Sequence, residues 1–460
     1  MVFSSTLFLF LFLPLILIIY YNPFIQSRNF RNHFLLLASL LFYGWGEPFF
    51  VWLMILSIIV GWICGKYMEL ASSLPEKKKY LMTGIIFHVG ILFIFKYMTF
   101  TATELGLLLH KDFSTLHIPL PIGISFFTFQ LLSYLFDIYY EKAKAQRNLL
   151  SLGLYIAFFP QLIAGPIVRY TDMKQEILDR KESISNFADG MLRFIYGLGK
   201  KMLIANYIGE IADNIFDAGG TLSMATAWFG ALAYTLQIYF DFSGYSDMAI
   251  GLGYMFGFHL KENFNYPYIS RSVTEFWHRW HISLGTWFRD YIYIPMGGSH
   301  VSTKRWIINL LTVWTLTGIW HGANWTFLLW GLWYFLLLLI EKFTRFPQKL
   351  GPFAHVYALL VIMLGWVLFR ANDLDSAVNY IGAMFDLEQG NLIDSTFHYY
   401  LVNSFFLIGS AVFLSLPLIP WLQTKPLFRR IEPITATVIF LLSLIITVSS
   451  SYNPFIYFDF

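Results

Sequence analysis

Residues 222–258 read LSMATAWFGALAYTLQIYFDFSGYSDMAIGLGYMFGF, an apolar run without Lys or Arg in which Asp241 and Asp247 are the only charged side chains. A helix crossing the hydrocarbon core of a bilayer needs about 20 residues, so this run is too long for one crossing. The whole chain has the same character. Of its 460 residues, 57% are apolar, 20% aromatic and only 13% charged. Soluble domains carry about 25% charged residues, so half the usual polar surface is missing. This excludes a water-soluble enzyme, a disordered chain and a nucleic-acid-binding protein, and it implies a multi-span membrane protein.

Outward from 222–258, apolar runs lie near 5–21, 33–45, 48–65, 80–99, 118–140, 148–168 and 190–210 on one side. On the other they lie near 306–320, 324–341, 354–370, 399–420 and 434–450. The reading is an all-α polytopic protein of about 11–13 membrane helices. Some are expected to be re-entrant or tilted, since irregular backbone at membrane depth is tolerated where it lines an enclosed cavity. The run Thr6–Tyr21 has no basic residue before it and no small-residue cleavage site after it, so it reads as a retained span. The single cysteine, Cys64, makes neither an internal disulfide nor a cysteine zinc site and reads as packing.

Basic residues alternate between loops. Arg28 and Arg31, then Lys66 and Lys77–Lys79, then Lys142, Lys144 and Arg147 mark cytoplasmic loops, whereas loop 100–117 has only Lys111. Loop 371–398 has five acids and no Lys or Arg. The positive-inside rule then puts Lys78 in the cytoplasm, and Thr115, Asp386 and both termini outside it. With no repeat, low-complexity segment or soluble domain, 1–460 reads as one membrane domain. It has N-terminal spans (1–147), a polar-rich core (148–341) and C-terminal spans (342–460).

Ionisable groups within membrane segments are costly, and each is a functional candidate by default. Asp241 and Asp247 need partners, water or a cavity. The bland alternative is helix–helix glue, with Ser243, Gly244 and Ser246 allowing close approach. In SVTEFWHRWHISLGTWFR (272–289), Ser272 and Glu275 fit a capping box and predict a helix start. At about 100° per residue, Phe276, Trp280, Leu284 and Trp287 share one face, and His278, His281, Gly285 and Arg289 form a strip elsewhere. An interfacial amphipathic helix would explain the aromatics and Arg279 but not two histidines on one strip. No metal is expected there, because catalytic zinc wants three protein ligands. In TGIWHGANW (317–325), His321 lies in a run without charged residues from Trp306 to Ile340, between Gly318 and Gly322 and close to Asn324. That pattern predicts a helix break at a cavity, with a histidine suited to moving protons near neutral pH.

These stretches, with PIGISFFTFQ (121–130), AGPIVRY (164–170), YFDFSGYSDMAIGLG (239–253), FWHRWHISL (276–284), RDYIYIPMGGS (289–299), WVLFRA (366–371) and the ending PFIYFDF, resemble the membrane-bound O-acyltransferase family. Within it, the likeness is to the polysaccharide-acetylating branch that includes the alginate O-acetyltransferases. The resemblance covers essentially the whole chain in order. It implies a funnel-shaped helical fold that carries an acyl group from a cytoplasmic donor to an extracytoplasmic acceptor. It also implies that His321 is the catalytic histidine and His281 the second histidine of this branch. His278 stands where the alginate-type sequences commonly carry Arg.

By the same resemblance the donor is acetyl-CoA, with no tightly bound cofactor and no metal. The acceptor is a polysaccharide such as alginate, the partner is an extracytoplasmic SGNH-type acetyltransferase, and the setting is the bacterial cytoplasmic (inner) membrane. Asp241, His278, Arg289, Trp320 and Asn324 are expected to bind substrate or line its path. One alternative is transfer of D-alanyl or another acyl group from a carrier protein. Another is a transporter of polysaccharide or lipid-linked sugar, against which stands the lack of an internal repeat.

Overall fold

A computed structural model describes residues 1–24, 27–112, 118–218, 222–386, 392–450 and 452–456. Thr115, Glu388 and the last four residues of the PFIYFDF ending lie outside the described residues. Among the described residues the chain is helical throughout, with no strand. Six helices are long and apolar enough to cross a membrane: Phe50–Leu70, Leu74–Leu109, Trp325–Thr344, Phe346–Arg370, Ser395–Leu414 and Pro426–Ser449. Phe8–Tyr20 and Ile124–Tyr139 are shorter apolar helices. The remaining apolar runs of the sequence are long but polar, or interrupted. Run 148–168 breaks at Phe158 into Leu149–Ala157 and Phe159–Leu162. Run 222–258, expected to exceed one crossing, forms a single 32-residue helix, Met224–Met255.

The chain divides into two compact units. Unit 1 holds residues 1–194 and 247–261. The centre of its packing is Ile124–Tyr139, a helix buried on nearly every side. Its neighbours Phe50–Leu70 and Leu74–Leu109 approach it through glycines. A Cβ on Gly61 would lie 2.6 Å from Leu131, and one on Gly84 would lie 2.4 Å from Leu135. Lipid tails are as apolar as leucine, so membrane helices associate through close packing of this kind rather than through expulsion of water.

Unit 2 holds residues 195–246 and 262–460. In it, Thr303–His321 and Trp325–Thr344 form an antiparallel hairpin. The two helices cross where a Cβ on Gly331 would lie 2.4 Å from the Trp314 carbonyl, and one on Gly318 would lie 2.5 Å from the Phe327 carbonyl. Gly318 is therefore a crossing point inside a continuous helix. The break comes at Gly322, which ends the helix in extended backbone. His321 is thus the last residue of its helix, at the tip of a tightly crossed hairpin.

The predicted helix over 272–289 starts where expected. The Ser272 side chain accepts a hydrogen bond from the Glu275 amide at 3.0 Å. It does not run through. Val273–Arg279 and Ile282–Phe288 are separate helices, and His281 between them sits in the left-handed region at φ 44°. The backbone at the break is satisfied from elsewhere: Asn265 N–H donates to the Arg279 carbonyl and Ile282 N–H to the Asn263 carbonyl, both at 2.9 Å. Tertiary partners from 263–265 override the local helical pattern, so the proposed strip of His278, His281, Gly285 and Arg289 does not exist as one helical face. The start of the Val273–Arg279 helix is also capped from afar. The buried Glu341 carboxylate accepts from the Val273 and Thr274 amides at 2.6 and 2.9 Å.

Candidate active site

His321 and His281 come together within unit 2, on either side of Trp320. The Trp320 ring centroid is 4.9 Å from that of His321 and 6.2 Å from that of His281. Both histidines are buried, at 4% and 1% exposure. Trp330 and Phe369 close on His321 with centroids at 4.7 and 5.4 Å, and Phe242 closes on His281 at 4.7 Å. Two imidazoles thus share a compact aromatic enclosure from which bulk water is largely excluded.

The hydrogen bonds fix which nitrogen of each ring carries the proton. His321 Nδ1 lies 2.8 Å from the carbonyl oxygen of Thr317, one turn back on its own helix. A carbonyl can only accept, so Nδ1 donates and the basic lone pair of the neutral ring is on Nε2. His281 Nδ1 lies 3.2 Å from Asn263 Oδ1. That oxygen also accepts from the Ser283 amide at 3.2 Å and the Ser283 hydroxyl at 2.8 Å, and Asn263 Nδ2 donates to Ser246 Oγ at 3.1 Å. The amide orientation of Asn263 follows from the Ser283 N–H, so His281 is likewise protonated at Nδ1. Its left-handed backbone is held by this same knot of bonds. Asn263 is fully buried and was not singled out in the sequence. Its one signal is an amide between Glu262 and Phe264 in a segment otherwise rich in aromatics.

The other sequence candidates are placed differently. Asn324 caps the Trp325–Thr344 helix: its Oδ1 accepts from the Thr326 amide at 3.2 Å, and its Nδ2 donates to the Asn372 carbonyl at 2.7 Å. Both ends of its amide are engaged in holding the hairpin tip, so it is a support for the loop after His321. Arg289 is exposed and paired with Asp290 at 2.8 Å, and His278 is exposed on the Val273–Arg279 helix. Neither touches the two buried histidines.

Asp241 is buried in an ion pair with Lys201 at 2.6 Å. Its second oxygen accepts from the Ile456 amide at 2.9 Å, while the Lys201 ammonium donates to the Pro454 carbonyl. Phe455 packs on Tyr245 at 4.7 Å. Asp241 and Lys201 thus clamp the segment Tyr452–Ile456 against their helices, a structural role close to the helix-glue alternative. Asp247 pairs with Arg193 at 2.7 Å. Among the described residues no group of His, Cys, Asp and Glu could hold a metal ion.

A dry enclosure with two Nδ1-protonated imidazoles is suited to general-base chemistry on a hydroxyl. Comparison with known proteins agrees with that chemistry. The family model described as MBOAT, membrane-bound O-acyltransferase family, matches residues 49–369. The chain is 44% identical over 402 residues to "Probable alginate O-acetylase AlgI" of Azotobacter vinelandii, covering 86% of this chain and 80% of that one. It is 41% identical over 445 residues to the protein of the same name from Pseudomonas aeruginosa, covering 92% and 84%. It is 35% identical over 422 residues to "Peptidoglycan O-acetyltransferase" of Helicobacter pylori, covering 84% and 80%. With its apolar helices and buried histidine pair, the chain belongs to the membrane-bound O-acyltransferases, multi-pass membrane enzymes that transfer acyl groups to hydroxyls.

Proposed function

We propose that this enzyme transfers acetyl groups from a cytoplasmic thioester donor, acetyl-CoA, to hydroxyls of an extracytoplasmic polysaccharide of the alginate class. It would do so in the bacterial cytoplasmic membrane, with both termini outside the cytoplasm and an SGNH-type acetyltransferase as partner. The names of the similar proteins and the alternation of loop charges support this reading. The observation that carries the chemistry is the Thr317 carbonyl on His321 Nδ1, which leaves Nε2 as the base.

In the reaction, the acceptor oxygen attacks the thioester carbonyl carbon as His321 Nε2 takes its proton. The tetrahedral intermediate then expels the thiolate, which takes the proton back from His321 Nε2. The acetyl ester and the free thiol are the products, and the histidine ends neutral. General-base catalysis contributes about 10²–10⁴-fold. His281 faces the same enclosure with the same tautomer and would help to orient the second reactant. Both imidazoles do this work without a charge to desolvate beforehand.

The test is His321→Gln in purified, folded protein supplied with acetyl-CoA and an oligosaccharide acceptor. Glutamine can hydrogen-bond to Thr317 but cannot take a proton. Transfer should fall by about 10²-fold or more, with the melting temperature unchanged. Near-normal transfer would make His321 a packing residue. Wild-type protein that releases no CoA from acetyl-CoA would remove the donor assignment.

A further inference from the structure

Three guanidinium groups in unit 1 surround one carboxylate. Glu182 accepts from Arg28 Nη1 at 2.5 Å and Nη2 at 3.0 Å. It pairs with Arg31 Nη1 at 3.2 Å and Arg180 Nε at 3.6 Å, and the Tyr20 hydroxyl donates to it at 2.5 Å. Burial pushes the Glu182 carboxyl up, but hydrogen bonds from Arg28 and Tyr20 and the Arg28 charge outweigh it and bring it down to about 2. The carboxylate is therefore ionised, and it offsets one positive charge of three.

Of the neighbouring acids, Asp172 has cations of its own and Glu176 is hydrogen-bonded elsewhere. Glu176 is paired with His259 at 2.7 Å, and Asp172 with Arg169 at 3.0 Å and Lys261 at 2.6 Å. Arg180 is a fixed support, buried and bound to Asn32 Oδ1 at 2.6 Å and the Phe256 carbonyl at 3.0 Å. Arg28 and Arg31 are different: their side chains keep 25% and 16% exposure, and Arg31 Nε is buried without a hydrogen bond. Both lie in the opening turns of the Arg28–Gly46 helix, whose cap residue Ser27 makes no side-chain bond. The positive end of the helix dipole adds to the excess rather than relieving it.

Around this cluster stand apolar groups that water would not favour. Phe24 is 92% exposed and Phe30 37%, and Phe30 stacks on Phe34 at 6.2 Å with ring planes 4° apart. Phenylalanine on the apolar side and arginine on the polar side is a pairing found where a helix meets the headgroup–acyl boundary. The guanidinium fork matches the oxygens of a phosphate.

We propose that Arg28 and Arg31, braced by Arg180 and Glu182, form a binding site for a phosphate-bearing anion, with the flanking phenylalanines favouring the headgroup of an anionic lipid over a soluble phosphate. The site sets three guanidiniums against one carboxylate, and the Arg28 and Arg31 side chains remain partly exposed to a ligand. A lipid phosphate there would anchor the start of the Arg28–Gly46 helix at the headgroup level.

The test uses full-length protein in nanodiscs of phosphatidylcholine with and without phosphatidylglycerol, reading retained lipid by native mass spectrometry and stability by melting temperature. Inorganic pyrophosphate added to phosphatidylcholine discs reports a soluble source. Wild-type protein should retain phosphatidylglycerol preferentially. Arg31→Gln should weaken retention about tenfold, the loss of one charge-assisted hydrogen bond. Arg31→Lys should fall between, and Arg345→Gln, an exposed arginine elsewhere, should match wild type. Stabilisation by pyrophosphate that depends on Arg31, without lipid preference, would keep the phosphate chemistry and reassign the source. If Arg31→Gln is too unstable to assay, Arg31→Lys carries the test. Equal retention by wild type and the Arg31 variants, with no response to pyrophosphate, overturns the site.

Discussion

Replacing Asn263 with alanine removes a buried carbonyl oxygen that three donors share. His281 Nδ1–H and the Ser283 amide are 3.2 Å from it, and the Ser283 hydroxyl is 2.8 Å away. The hydroxyl can turn to another acceptor, but the two N–H groups cannot. A buried donor left unsatisfied costs about 1–3 kcal/mol, so Asn263→Ala should cost about 2–6 kcal/mol of stability. The functional loss is separate. His281 would lose the acceptor that sets its ring, and a misplacement of about 1 Å at reacting groups costs about 10²-fold in rate. Asn263→Asp separates the two effects. It keeps the acceptor oxygen in place, and the Ser246 hydroxyl can turn to donate to it. The assay is thermal unfolding in detergent alongside transfer of acetyl from acetyl-CoA. Asn263→Ala should lose both stability and kcat, and Asn263→Asp should recover stability and part of kcat. An alanine variant that melts with wild type and turns over normally would refute the assignment of Asn263 as the residue positioning His281.

Two further outcomes follow from the charges. Lys201→Met leaves Asp241 buried without its partner, which costs about 3–5 kcal/mol. The double variant Lys201→Met with Asp241→Leu should recover most of the loss, and a melting-temperature cycle showing additivity would refute the pair. Glu182 gives a pH dependence: its carboxyl sits at about 2, below the usual 4.5, so its ion pairs stabilise the fold fully above pH 4.5 and are lost as pH falls through about 2. Unfolding monitored over that window should show a slope that Glu182→Gln lacks; parallel curves would refute it.

How much of this was legible in the sequence depended on the range of the interaction. The hairpin that carries His321 was visible as apolar runs at 306–320 and 324–341, and the Ser272 cap was visible because its partner Glu275 is three residues away. The interruption at Trp280–His281 was not, since it is stabilised by Asn263 and Asn265, which no periodicity connects to it. The break expected around His321 falls at Gly322; the missing Cβ of Gly318 serves a neighbouring helix whose position the sequence does not state. Lys201 was overlooked because a Lys–Lys pair at 200–201 looks like a solvated surface, whereas its partner Asp241 stood out at once in an apolar run. Asn324 was noticed, and its role was misjudged: asparagine ahead of a helix is a capping residue, and here the cap consumes the amide.

Buried polar groups in unit 2 sort by what answers them. Asp241 meets the Lys201 ammonium and the Ile456 amide, while Lys201 also holds the Pro454 carbonyl, and the result is a rigid clamp. His321 and His281 meet neutral acceptors, a carbonyl and an amide oxygen, each on Nδ1. A neutral acceptor fixes the tautomer without drawing the ring into the imidazolium form, as a carboxylate would, and so preserves a basic nitrogen. The acidic residues inside the apolar runs, conspicuous as they are, hold the scaffold, and the proposed chemistry rests on the histidines. Of the two acceptors only Asn263 is a side chain, and a carboxylate there would favour the protonated form of His281, which is why Asn263→Asp should return only part of kcat.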